Sequence, residues 1–193
     1  MDDVIDFWFG PPGSPERGTR RGVWFRRDDS VDPAAFDAEI RTRFLATYEA
    51  AAEGALDHWS LSVDGSLALL LVLDQFSRNM FRDGARAFAA DAKAREIARA
   101  ALEKGFDREV DPVAQTFFLL PFEHSEDLAD QEHSLELFGR FAGTEDGDRG
   151  IEYAQRHYDI IARFGRFPHR NAALGRDSTE TELAFLKEPN SSF

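Results

Sequence analysis

The sequence predicts an all-α protein, an array of about seven or eight antiparallel helices. Apolar residues recur at helical spacing in several segments of the chain. The pairs Asp32–Pro33 and Asp111–Pro112 are typical of an N-cap residue followed by proline at the first helical position. No segment alternates strictly between apolar and polar residues across a hairpin turn, so the sequence indicates no β-sheet.

The first predicted helix begins at Pro33 and ends before Gly54, and its apolar face consists of Phe36, Ile40, Phe44, Tyr48 and Ala51. The next helix follows the Asp64–Gly65 turn. Its segment LALLLVL, residues 67–73, is apolar on all sides, as expected of a helix packed against several neighbours. We expect this helix to extend to Arg82, and a central strand is the alternative.

Three more helices are predicted towards the C-terminus, besides the one that starts at Pro112. Residues 87–104 are rich in strong helix formers and are followed by a glycine. Residues 150–164 form an amphipathic pattern that stops at Gly165. Thr179 and Glu182 have the spacing of a capping box before a final helix.

Length and cysteine content limit the class of protein. The 193 residues predict a single domain, 1–193, with enough chain to bury its own core. The chain has no cysteine, which excludes a disulfide framework, a thiolate zinc site and a cysteine nucleophile. A reducing compartment is therefore favoured.

The charge of the chain limits its partners and location. A net charge of -13 argues against nucleic-acid binding, which needs a broad basic surface. The first residues, MDDVIDFWFGPPG, are acidic where a secretory signal is basic, and the longest aliphatic run is too short to span a bilayer. We expect a cytoplasmic protein without membrane or nucleic-acid partners. Its oligomeric state is left open.

The segment DQFSRNMFR, residues 74–82, carries a polar stripe along its predicted helix. On a helical wheel its polar side chains fall within an arc of roughly 140°. They are Asp74, Gln75, Arg78, Asn79 and Arg82. This stripe is either a solvated face or the wall of a polar cavity, in which amide and guanidinium groups would fix a ligand.

The segment LLPFEHSEDLADQEHS, residues 119–134, concentrates carboxylates without a lysine or arginine. Such carboxylates need cationic partners, so we expect residues 121–136 to meet the arginines of 74–82 and 163–176 in one place. If Pro121 opens a helix, one face of that helix carries Glu123, Asp127, Asp130 and Gln131, with His124 at its edge. His124 is then either a satisfied imidazole or a base oriented by a carboxylate.

Local spacing gives little support for a metal site. In this region only Asp130-x-x-His133 approaches a ligand pattern, and the HExxH motif is missing. We therefore predict no metal and no cofactor.

The segment RFGRFPHRNAALGR, residues 163–176, gathers cations in an acidic chain. Arg163 and Arg166 lie at a predicted helix end, where the helix dipole alone favours positive charge. The helix dipole does not explain His169 and Arg170, which follow Pro168. These two residues therefore indicate carboxylate partners or a bound anion. The nearby His157 is interpreted as a packed core histidine rather than a ligand.

Three segments together resemble the uncharacterised domain-of-unknown-function family 924. They are DQFSRNMFR, LPFEHSEDLADQ and HYDIIARFGRFPHRNAALGR, and the openings VIDFWFG and WFRRDD, Trp59 and the closing STETELAFL are similar too. The resemblance covers nearly the whole chain. It implies an all-helical fold of the tetratricopeptide-like superfamily, mainly in bacteria, with no established activity or cofactor.

Two functions follow from these observations. The first is a helical-array binding or scaffold protein for a protein or peptide partner, with a polar pocket of arginine, histidine and carboxylate. It requires an exposed apolar groove, for which Trp8, Trp24 and the phenylalanines are candidate side chains.

The alternative is an enzyme that acts on a small anionic metabolite, bearing phosphate or carboxylate, by acid–base chemistry at His124, with Glu123 or Asp127 orienting the imidazole. Its predicted ligand-binding residues are Asp74, Gln75, Arg78, Asn79, Arg82, Arg163, Arg166, His169, Arg170 and Asn171.

Overall fold

The computed structural model describes residues 1–25, 28, 30–189 and 191–192. Arg26, Arg27 and Asp29 of the WFRRDD segment lie outside the described residues. Within the described part of the chain, the regular structure is entirely helical, which confirms the all-α prediction. A tetratricopeptide-like arrangement of the helices stays a prediction.

The α-helical segments are α1 (Asp2–Phe9), α2 (Pro33–Ala52), α3 (Val63–Leu70), α4 (Ser77–Met80), α5 (Asp91–Glu103), α6 (Pro112–Glu123), α7 (Leu128–Phe138), α8 (Glu145–Phe164) and α9 (Glu180–Phe185). A π-helical segment, Leu71–Phe76, joins α3 to α4 in one continuous helix. The described residues therefore form eight separate helices, as expected from the sequence.

Side-chain caps explain where several helices begin. Asp32 accepts a hydrogen bond from the Ala34 amide at the start of α2, and Thr179 and Glu182 form the predicted capping box at the start of α9. Helix α8 begins at Glu145 rather than at the predicted Gly150. The reason is that the Thr144 side chain caps this helix and acidic residues fill its first turn, next to the positive end of the helix dipole.

The prediction that Pro121 opens a helix is wrong. Pro121 lies inside the last turn of α6, which ends two residues later at Glu123. A proline lacks the amide hydrogen that would bond the carbonyl oxygen four residues earlier, so it interrupts the helical hydrogen bonding, and α6 ends shortly after it. The next helix, α7, starts after a turn at Leu128, so Glu123 and Asp127 do not share a helical face.

Contacts divide the chain into two compact units. Unit 1 comprises residues 1–82 and 86–121, and unit 2 comprises residues 83–85 and 122–193. The expectation of a single domain stays a prediction. In the described residues, no helix is both long enough and apolar enough to cross a membrane.

Unit 1 is built around aromatic side chains. Trp8 is fully buried, and its ring stacks on that of Trp24 with centroids 5.5 Å apart. Phe9 and Phe117 meet Trp24 edge to face, and the Trp24 indole N–H donates to the Trp8 carbonyl oxygen at 3.0 Å. Both tryptophans therefore belong to the core.

Unit 2 is built on the packing of α7 against α8. Its apolar core contains Ile160, Ile161, Phe167 and Phe185, with Phe164 packed at its edge. Phe167 lies in the segment between α8 and α9, so the core fixes that segment against α8.

We expect Gly147→Ala to lower the free energy of unfolding by about 2 kcal/mol, because the added Cβ would collide with the Phe141 carbonyl oxygen at the start of α8. Gly139→Ala is the matched control, since a Cβ there would meet no atom within 4 Å. Urea unfolding measures both changes. Equal stabilities of the two variants would contradict the close approach at Gly147.

Candidate functional site

A carboxylate and an imidazole pair with each other inside unit 2. Glu123 is the last residue of α6, and His157 lies in the middle of α8. Both residues are buried, with relative exposures of 4% and 3%. His157 Nδ1 lies 3.3 Å from Glu123 Oε1 and 2.8 Å from the Tyr153 carbonyl oxygen.

The Tyr153 carbonyl fixes the tautomer of His157. A carbonyl oxygen can only accept a hydrogen bond, so Nδ1 carries the hydrogen and Nε2 keeps its lone pair. Burial holds the pKa of His157 well below its ordinary value of 6.5, and the positive charges of His124, Arg170 and His169 act in the same direction. His157 is therefore a neutral imidazole at neutral pH.

His124 completes a group of three residues with Glu123 and His157. It follows Glu123 in the chain and is half-buried, and its ring centroid lies 6.1 Å from that of His157. One ring nitrogen of each histidine and one oxygen of Glu123 lie within 4.8 Å of one another. The predicted residues Glu123 and His124 are thus brought together with His157.

Phe167 organises the surroundings of this group. Its ring centroid lies 5.5 Å from the rings of both His157 and His169, and the Arg170 guanidinium lies over the ring at 4.4 Å from its centroid. Arg170 also donates to the His124 carbonyl oxygen at 3.0 Å. Two of the residues predicted to bind a ligand, His169 and Arg170, therefore lie beside the group. We call Glu123, His124, His157, His169 and Arg170 the histidine cluster.

Glu126 ties this region to the C-terminal segment. Its carboxylate accepts two hydrogen bonds from Arg176, at 2.7 and 3.0 Å, and one from the Phe167 amide at 2.7 Å. Burial raises the pKa of Glu126, but these hydrogen bonds outweigh it and hold the pKa below its ordinary value. Within unit 2, Glu126 of the acidic segment thus meets Arg176 of the arginine-rich segment, and the meeting with the arginines of 74–82 stays a prediction.

Asn171 supports the same connection. This buried residue accepts a hydrogen bond from Arg176 at 3.0 Å and donates to the Ser178 hydroxyl at 3.0 Å. Its contacts hold the backbone of the segment in place, and its assignment to a ligand stays a prediction.

Three other predicted site residues of unit 2 make local contacts. Arg166 binds the Glu182 carboxylate through two hydrogen bonds, at 2.7 and 2.9 Å, and Arg163 is exposed over the Phe164 ring. Asp127 is exposed and caps α7 by accepting a hydrogen bond from the Ala129 amide at 2.8 Å. These contacts serve the helix ends, and a role of the three residues in a site stays a prediction.

The predicted polar stripe of residues 74–82 lies in unit 1. Asp74 is buried in the π-helical segment, where it accepts a hydrogen bond from Gln75 at 2.6 Å and pairs with Arg78 at 3.0 Å. Arg78 also makes two hydrogen bonds to Asp91, at 3.0 and 3.1 Å. A π-helical segment is common at functional sites, but here its polar groups form a network with one another.

The second half of the stripe centres on Asp37. This carboxylate accepts a hydrogen bond from Asn79 at 2.7 Å and two from Arg82, each at 2.9 Å. The arginines at 78 and 82 therefore have carboxylate partners within unit 1. The assignment of the stripe to a ligand stays a prediction.

Sequence reasoning missed Asp37, Asp91 and the pairing of His157. Asp37 and Asp91 lie on α2 and α5, far in the chain from their partners, so no local spacing reveals them. For His157 one signal existed, because the third family-like segment begins at this residue.

The described part of the chain is thus an all-α protein with a histidine–carboxylate cluster in its second unit. Residues 4–190 match the model of DUF924, a family of bacterial proteins of unknown function, and the chain belongs to this family. A solved structure of a protein of unknown function from Agrobacterium tumefaciens is similar, with a TM-score of 0.81 and 39% identity over 96% of this chain and 95% of that chain. A search of curated proteins found no match to the chain.

The pair Arg166–Glu182 should make stability depend on pH. The hydrogen bonds from Arg166 lower the pKa of Glu182 from 4.5 to about 2. Because the pKa of Glu182 is lower in the folded state than in the unfolded state, the charged carboxylate stabilises the folded protein at pH values above 4.5. This contribution is lost as the pH falls from 4.5 towards about 2. Glu182→Gln should weaken this dependence in urea unfolding at a series of pH values. The exposed neighbour Glu180→Gln is the control, and an unchanged pH dependence in Glu182→Gln would refute the assignment.

Proposed function

We propose that the protein binds a small anionic molecule at the histidine cluster and catalyses a proton-transfer or hydrolytic reaction on it. The observation that carries this proposal is the buried Glu123–His157 pair beside the half-exposed His124. Burying a carboxylate and an imidazole costs stability unless they are paired and hydrogen-bonded. Groups of this kind, held in a shielded position next to an accessible histidine, are typical of catalytic sites.

Arg170 favours an anionic group on the bound molecule. Its guanidinium carries a permanent positive charge and donates to the carbonyl oxygen of the half-buried His124 at 3.0 Å. Forked guanidinium donors match the oxygens of a phosphate or carboxylate group. The proposed ligand therefore bears a phosphate or carboxylate that binds at Arg170.

The accessible and the shielded members of the cluster have different tasks in this proposal. His124 is half-buried and can touch a ligand, whereas Glu123 and His157 lie behind it. The Tyr153 carbonyl keeps the hydrogen of His157 on Nδ1, so its Nε2 offers a lone pair. Arg170 lies over Phe167 and supplies the charge that orients the anion.

The peptide-binding scaffold loses two of the side chains proposed for its groove. Trp8 and Trp24 are buried in the core of unit 1 and stack on each other, whereas among the phenylalanines Phe25 is exposed. An exposed apolar patch is the usual mark of a protein-binding surface. The polar cluster of unit 2 is therefore the better supported site.

A thermal-shift screen of small phosphates and carboxylates tests the proposed function. A ligand at about 100 times its Kd adds about 2.7 kcal/mol, which is roughly 5 to 10 °C for a protein of this size. We expect the shift to be lost in His124→Ala and in Arg170→Lys, since the lysine keeps the charge but not the forked donors. Arg140→Ala, which changes an exposed arginine just after α7, is the matched control and should keep the shift.

Circular dichroism and urea unfolding of each variant separate lost binding from lost folding. If no compound stabilises the protein, the proposed function is wrong. It is also wrong if hits bind equally well to folded His124→Ala and Arg170→Lys.

A further inference from the structure

We infer that Glu123, His124 and His157 bind one divalent transition-metal ion of the zinc class. This inference rests on the same site as the proposed function and names its cofactor. Among the described residues, these three form the group of histidine and acidic side chains whose donor atoms lie close enough to share an ion, all within 4.8 Å. It departs from the expectation of no metal, which rested on local sequence spacing alone.

The donor set decides the kind of ion. Two imidazoles and one carboxylate suit zinc and related first-row ions, whereas calcium and magnesium prefer oxygen ligands only. Catalytic zinc sites use three protein ligands and leave a further position open for water or substrate. The cluster offers three donors, and none of them is a thiolate, since the chain has no cysteine.

The distances require only side-chain movement. Donor atoms about 2.0 to 2.2 Å from a tetrahedral ion lie roughly 3.3 to 3.6 Å apart. One donor atom from each of the three residues lies within 4.8 Å of the others, so the ligands need to approach by little more than about 1 Å. His124 is half-buried, so rotation of its side chain can close the remaining distance.

The Tyr153 carbonyl is the second observation that points to an ion. Metal-binding histidines almost always donate their other ring N–H to a carbonyl or carboxylate, which fixes the ring and its tautomer. His157 makes this contact through Nδ1, at 2.8 Å, so Nε2 is the ring nitrogen that would bind the ion. A bound ion would also increase the local positive charge, so an anionic ligand in the open position agrees with the proposed function.

Metal binding is measured on the full chain after treatment with EDTA. Zn²⁺ is titrated by calorimetry, and Co²⁺ is added in a parallel experiment because its visible absorption reports the ligand set. We expect one ion per chain and a loss of affinity of at least about 100-fold in His124→Ala and in Glu123→Gln. His58→Ala, which changes an exposed histidine of unit 1, is the matched control and should bind as the unchanged protein does.

His124→Ala is the variant that best keeps the fold, because His124 is only half-buried and the pair Glu123–His157 stays intact. Its fold is checked by circular dichroism. An unchanged protein that binds no Zn²⁺ overturns the inference. So does a folded His124→Ala variant with unchanged affinity and an unchanged Co²⁺ spectrum.

Repeating the ligand screen with EDTA-treated and Zn²⁺-loaded protein separates this inference from the proposed function. Zn²⁺ binding that is lost in His124→Ala, without any small-molecule hit, supports the metal site and refutes the proposed function. If the protein binds no Zn²⁺ and a hit stabilises it equally after EDTA treatment and with Zn²⁺ added, the result supports the proposed function and refutes the metal site.

Discussion

A carboxylate and an imidazole that are both removed from water need partners, and unit 2 is arranged around this requirement. Glu123 and His157 meet because α6 ends at Glu123 and α8 presents His157 towards it. The Tyr153 carbonyl, one turn earlier on α8, accepts a hydrogen bond from Nδ1 of the imidazole. A buried carboxylate without a partner would cost several kcal/mol, so this contact holds Glu123 against α8 within unit 2.

The turn between α6 and α7 meets the same requirement by local means. The Gln131 side chain donates to the backbone carbonyls of Glu123 and Ser125, at 2.7 Å each, and so satisfies groups left open at the end of α6. Ser125 donates to Asp130 at 2.7 Å. The dense carboxylates of this region thus have separate tasks, and Glu123 is the member that depends on a distant helix.

Local chemistry made part of the fold predictable. The caps at Asp32 and Thr179 and the end of α8 at Gly165 depend on neighbours within four residues, and all three were recognisable in the sequence. Pro121 was misleading because proline usually marks the first turn of a helix, whereas here it interrupts α6 two residues before its end. The π-helical segment Leu71–Phe76 begins in the apolar run, and all of its residues are buried. No alternation of buried and exposed positions therefore marked it in the sequence. At the candidate site, Glu123 and His124 stood out by composition, whereas their pairing with His157 depends on helix packing that no local pattern encodes.

The connection between Glu126 and Arg176 limits what helix content can report about the site. These residues are 50 positions apart, and Arg170 and His124 are 46 apart, whereas the hydrogen bonds within α7 and α8 span only a few residues. Closing such long loops lowers the conformational entropy of the chain, a cost that contacts within a helix do not carry. A chain in which both helices have formed can therefore still lack the histidine cluster, and a measurement of helix content alone does not show that the site has assembled.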